Sequence, residues 1–139
     1  YPKDYNQFYK NLLTVLDTDI EVAVSSCITI FNIFDIKEIF DKWQSLNIEQ
    51  VHLEIVYFPL YFNVEYLTQE QLLLVSKQID MIKNQSYDFM TPLLLGKLES
   101  IQKMTSINDI NVLNERNRVI DLYDKLRGTD ARSLFSNIS

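Results

Sequence analysis

Two apolar, β-branched runs, Val22–Phe31 and Val51–Tyr57, enclose one amphipathic helical stretch, and no other segment alternates as a strand does. That pattern is a β-α-β unit. A crossover of this length returns the chain to the same end of the sheet, so the two strands are expected to run parallel. A parallel pair is normally covered on both faces and extended by further strands, and this sequence offers none. The expectation is therefore a helix-rich α/β chain in the order α-β-α-β-α-α-α, built like part of a larger sheet or (β/α) barrel. It is read as a single domain over 1–139.

Local signals place the elements. Tyr5, Phe8, Tyr9, Leu12, Leu13 and Leu16 recur at helical spacing and predict one buried face on a helix from Asp4 to Leu16. The first strand should begin near Glu21 and end at Asn32. Val22, Val24, Ile28 and Ile30 would face helices, while Glu21, Ala23, Ser25, Cys27 and Thr29 form a smaller, more polar face. Asp35, with Glu38 three residues on, has capping-box spacing for a helix to about Leu46. In the second strand Val51, Leu53, Ile55 and Tyr57 alternate with His52, Glu54 and Val56, and Pro59 stops the run. An extended stretch is expected over Tyr61–Leu67. Thr68 with Gln71 repeats the box spacing before a helix to about Lys83, and Asn84–Asp88 reads as a loop. Thr91-Pro92 opens a helix to about Met104. The last helix is expected from Asp109 to Leu126, with Val119, Leu122, Tyr123 and Leu126 as its stripe and Gly128 as its left-handed terminator.

Bulk properties narrow the functional classes. Nineteen acidic against thirteen basic residues give a net charge of -6, which argues against general nucleic-acid binding. No apolar run reaches the roughly 18 residues of a membrane span, and no signal segment opens the chain. A single cysteine excludes an internal disulfide and fits a reducing, cytoplasmic setting. Asn84-Gln-Ser86 and Asn137-Ile-Ser139 match the glycosylation triplet, a chance match without a secretory signal. With only Gly96 and Gly128, the chain has no glycine-rich phosphate loop. Because the first residue is Tyr1, the chain is expected to begin inside a longer reading frame or to be trimmed.

Ligands of parallel α/β sheets and barrels lie beyond the C-terminal ends of the strands. That rule points to Asn32 and Asp35 after the first strand and to Tyr57 and Pro59 after the second. In a curved sheet, Ser25, Cys27, Thr29, His52 and Glu54 would line the interior. On an open sheet the same residues would simply face solvent. Cys27 and His52 share a face, so a thiolate–imidazole pair is conceivable. Mid-strand among apolar neighbours, however, Cys27 reads as an inert buried cysteine. His52 has no second histidine or cysteine with which to complete a zinc site. Arg116, Arg118, Lys125, Arg127 and Arg132 make the C-terminal helix locally basic. Asp121 with Lys125 and Asp124 with Arg127 have pairing spacings, so a salt-bridged face is expected there.

Several segments together resemble the C-terminal part of radical S-adenosylmethionine proteins of the twitch-domain type. Asn6–Asn11 resembles the aromatic-Lys-Asn helix before a late barrel strand. Ser26–Asn32 with Ile33–Trp43 resembles the strand ending in asparagine and its helix. Val51–Tyr57, leading to Pro59, Tyr61 and Leu67, is similar to the next strand and its turn, and Asp124–Asp130 through Phe135 to the terminal Asp-x-x-Arg-Gly segment. The order of these pieces, from Asn6 to Ser136, carries the resemblance. Three departures stand against it. Ser136-Asn137-Ile138 replaces Pro-Glu-Leu, Thr68 replaces a proline, and the Cys-x-x-x-Cys-x-x-Cys motif is missing.

The resemblance implies the C-terminal half of a barrel whose absent N-terminal half, in the same or a separate chain, holds a 4Fe–4S cluster and S-adenosylmethionine. Thr29, Asn32, His52 and Glu54 would then face the cavity and shape a substrate or cofactor pocket. This chain alone would bind neither group and would be inactive, and a peptide or protein substrate is expected of the whole enzyme. The rival expectation is a non-enzymatic interaction module that completes its sheet on a partner or by self-association. A cysteine hydrolase built on Cys27 and His52 is a third.

Overall fold

The computed structural model describes residues 5–128 and Asp130, and of Tyr5 the backbone only. Five α-helices and two strands follow in the expected order: α1 (Tyr5–Leu16), β1 (Ala23–Ile28), α2 (Ile36–Ser45), β2 (Gln50–Ile55), α3 (Gln69–Lys83), α4 (Pro92–Gln102) and α5 (Ile110–Arg127). The strands pair in parallel, in register from Ala23 opposite Gln50 to Ile28 opposite Ile55. The protein is a helix-rich α/β fold with a two-stranded parallel sheet among the described residues.

The core lies on one side of that sheet. Ile28, Val51 and Leu53 meet Phe40 of α2, Val75 and Ile79 of α3, and Leu94 and Leu98 of α4, all buried. Fully burying a side chain of this kind contributes about 1.5–3 kcal/mol. Phe40, Tyr87 and Phe89 pack with ring centroids 5.3–5.6 Å apart, two of the three contacts edge-on, an arrangement that aromatic quadrupoles favour. Tyr87, itself buried, donates its hydroxyl to Asp41 Oδ1 (2.7 Å), with Gln85 Oε1 at 2.6 Å from the same oxygen, which fastens α2 to the loop before α4.

Several helix ends are closed by the residues that signal them. Thr68 and Gln71 form the reciprocal capping box of α3 (3.2 and 3.0 Å). Thr91 Oγ1 accepts from Leu94 N ahead of Pro92, and Asp109 Oδ1 accepts from Asn111 N and Val112 N. Gly128 has φ 65°, the left-handed conformation that ends α5. Asn47, at φ 54°, does the same for α2, with Ile48 N donating to Trp43 O. Asparagine tolerates that region better than other side-chain-bearing residues.

Five expectations are corrected. Asp35 makes no side-chain cap. The chain enters α2 through a 3-10 turn at Ile33–Asp35, and Gln78 of α3 does the capping: its Oε1 accepts from Lys37 N (3.2 Å) and its Nε2 donates to Phe34 O. Both strands are shorter than their apolar runs, β1 ending at Ile28 and β2 at Ile55. Tyr61–Leu67 is not extended but contains two 3-10 turns, Leu60–Phe62 and Val64–Tyr66, after a cis Phe58–Pro59 bond.

The fourth and fifth corrections concern helix faces. On α1, Phe8 and Leu13 stay 58% and 43% exposed, because no described strand lies beyond β1 to underlie the helix. On α5, Val119 and Ile120 are buried while Leu122, Tyr123 and Leu126 are exposed. That helix packs on the Leu60–Phe62 turn. Of the C-terminal segment that resembles the radical-enzyme family, Thr129 and 131–136 lie outside the described residues.

Candidate functional site

The outer face of the sheet holds the chemistry-bearing residues. Ala23, Ser25 and Cys27 of β1 and His52 and Glu54 of β2 alternate with the core positions and are all exposed. Small and polar side chains occupy this face because nothing described packs against it. The register sets Ser25 opposite His52 and Cys27 opposite Glu54. Cys27 is exposed, not buried as its apolar neighbours suggest. In a strand the apolar neighbours project from the opposite side. Glu54 reaches Lys97 of α4 in an ion pair of 3.6 Å. Lys97 is a member of this surface that no sequence pattern marked, since its helix and β2 lie far apart in the chain.

Beyond the end of β1 the polar groups of Thr29 and Asn32 serve each other. Asn32 Oδ1 accepts from Thr29 N (2.9 Å), and Asn32 Nδ2 donates to Cys27 O (2.8 Å). Thr29 Oγ1 accepts from Phe31 N (3.2 Å). Asn32 thereby ends the strand: its amide stands where a neighbouring strand would donate. Ile30 N donates to Phe62 O (3.1 Å), and Phe31 packs edge-on against Phe62 with centroids 5.3 Å apart. An aromatic plug thus closes the loop beneath Thr29 and Asn32. Thr29 and Asn32 are joined directly. His52 and Glu54 stand further back on the open face.

The remaining titratable groups with displaced equilibria are structural. Hydrogen bonds from Lys37 and then Tyr87 hold the Asp41 carboxyl below its usual range, while burial, followed by Asp41, pushes the Tyr87 phenol up. On α5 burial lowers the Arg116 guanidinium, which donates to Tyr66 O (3.3 Å). Arg118 forms a two-point pair with Glu115 (2.9 and 2.6 Å), and Arg127 lies over the Tyr123 ring at 5.0 Å. Arg116, Arg118 and Arg127 of the basic stretch are thus engaged within the fold.

A 4Fe–4S cluster requires three or four thiolates. The chain has one cysteine, and Cys27 stands opposite Glu54 on a strand, with no cluster of three metal-ligating side chains among the described residues. The residues do not fit such a cluster. No helix among them is long and apolar enough to cross a membrane. No family model matches the chain, and no curated protein or solved structure is significantly similar to it. The class defined by fold and site is a helix-rich α/β protein with an open, small and polar sheet face.

Proposed function

We propose that this chain forms the C-terminal cavity wall of a radical S-adenosylmethionine enzyme of the twitch-domain type, cytoplasmic and acting on a peptide or protein. The observation that carries the reading is the parallel strand pair with one face buried and the other open, small and polar. Parallel sheets are covered on both faces, and barrel closure turns such a face inward. Thr29 and Asn32 would then form the rim of the cavity at the strand end, and His52 and Glu54 its wall. The family resemblance supplies the chemical class. Cluster and S-adenosylmethionine would be held by the N-terminal half, and the residues here would contribute shape and hydrogen-bonding groups.

The test is the native polypeptide, sized with an antibody to this segment and sequenced upstream. A product severalfold longer, with an upstream Cys-x-x-x-Cys-x-x-Cys loop, is expected. Anaerobic reconstitution should give it iron–sulfur absorbance and S-adenosylmethionine binding. A native product near 16.4 kDa with no co-purifying cluster protein would overturn the proposal. One observation favours the interaction-module reading: Leu122, Tyr123 and Leu126 form an exposed apolar stripe away from the sheet. At the smaller mass, a concentration-dependent dimer lost on Leu126→Glu would establish that reading instead.

A further inference from the structure

The two edges of the sheet are not equivalent. In a parallel ladder, alternate residues turn both backbone groups to the same neighbour. Val56 N donates to Ile28 O (3.0 Å), so Ile28, and with it Ser26 and Val24, faces β2. Ala23, Ser25 and Cys27 therefore turn their N–H and C=O groups to the free side. Among the described residues, the one hydrogen bond to these groups is Asn32 Nδ2 to Cys27 O, and Asn32 Oδ1 takes the Thr29 N–H just beyond them. On the far edge, Val51, Leu53 and Ile55 turn outward toward α4, and the Lys97–Glu54 pair spans the gap. A charged side chain at an edge discourages further strands. Beside the β1 edge, the charged Lys42 of α2 is held over the Tyr9 ring of α1 at 4.6 Å.

A groove of about 420 Å³ runs beside that edge, walled by Phe8 and Leu12 of α1, Val24 of β1, and Trp43 and Leu46 of α2. The helix α1 folds back along β1 through the short Asp17–Val22 connection, yet Leu13 remains 43% exposed. Its position is that of a crossover helix with one of its two strands in place. Nearly all crossovers between parallel strands of one sheet are right-handed, which assigns the slot beneath α1 to the strand that leads into it.

We propose that the free edge of β1 seats a third strand, parallel to β1 and supplied by the polypeptide directly upstream of α1. The N–H and C=O groups of Ala23 and Ser25 and the N–H of Cys27 hold it, and Asn32 ends the pairing by occupying Cys27 O. Its alternate side chains are apolar on the groove side, against Leu12 and Trp43. The sheet order becomes upstream strand–β1–β2, with β2 as the outer strand. The inference rests on the chain being part of a longer polypeptide, as in the proposed function. It does not depend on radical chemistry.

Amide hydrogen exchange resolved at single residues tests it, comparing the native polypeptide with the 139-residue chain. The Ser25 and Cys27 amides are expected to exchange fast in the chain and at least 100-fold slower in the native polypeptide. The Ser26 amide, bonded to β2, should be protected in both. Ser25→Pro supplies a second reading, since proline is tolerated where the N–H points off the ladder. It should leave the 139-residue chain folded and release Cys27 protection in the native polypeptide. Fast exchange at Ser25 in the native polypeptide would overturn the proposal, and so would a native polypeptide with nothing upstream of α1. Protection without an upstream cysteine loop would keep the strand and remove the radical-enzyme reading, so the two can fail separately.

Discussion

The two faces of one small sheet are built to opposite rules. On the inner face Ile28, Val51 and Leu53 are almost fully buried under α2, α3 and α4, and shape complementarity sets their energetics. On the outer face Ser25, Cys27, His52 and Glu54 are exposed side by side. The same β1 and β2 backbones carry both, so the difference lies in what covers each face and not in strand geometry. An antiparallel sheet commonly leaves one face to water, while a parallel one rarely does. On the proposed reading, the outer face is a surface whose cover lies in another part of the polypeptide.

The largest effect should separate the faces by stability. Leu53→Ala should cost about 2–5 kcal/mol in urea unfolding, through lost transfer energy and a residual cavity. His52→Ala, one residue away, should stay within about 0.5 kcal/mol. Equal losses would mean that the outer face is also packed. Next in size is the boundary between the faces: Asn32→Ala removes the donor to Cys27 O and the acceptor for Thr29 N, at a cost of about 1–3 kcal/mol. Tyr87→Phe should cost about 1 kcal/mol by freeing Asp41 and Gln85 from a buried hydroxyl.

A pH titration sharpens the inner-face account. The Asp41 carboxyl is held down in the fold by Lys37 and Tyr87. Its contribution is thus present above the unfolded aspartate value and lost as pH falls through the lower folded one. Asp41→Asn should flatten the stability profile below about pH 4 and, by removing one cause of the raised Tyr87 phenol, soften its fall above the ordinary tyrosine range. Smallest of all, Lys97→Ala should change stability by less than about 1 kcal/mol, because its pair with Glu54 is surface-exposed.

Much of this contrast was legible in the chain. Period-2 alternation separated Val51 and Leu53 from His52 and Glu54, and cap chemistry at Thr68, Thr91, Asp109 and Gly128 located four helix ends. What escaped depended on partners distant in sequence. Gln78 capping α2 displaced the expected role of Asp35, and Lys97 reached Glu54 across forty-three positions. The exposure of Cys27 depended on what lies against a face rather than on its apolar neighbours. The stripe on α5 misled for a related reason: helical spacing marks an apolar face, but only packing decides which turns it buries. Of the site, the strand-end asparagine was visible, while its service to Thr29 and Cys27 needed the folded turn.

The most direct measurement is the reactivity of the Cys27 thiol toward a bulky polyethylene-glycol maleimide. It should be made on the 139-residue chain and on the native polypeptide, each folded. Rapid modification of the chain and strong protection in the native polypeptide are expected, because the proposed function makes the open face a cavity wall. Equally rapid modification of both would contradict a covered outer face, and with it the reading of this chain as part of a larger barrel.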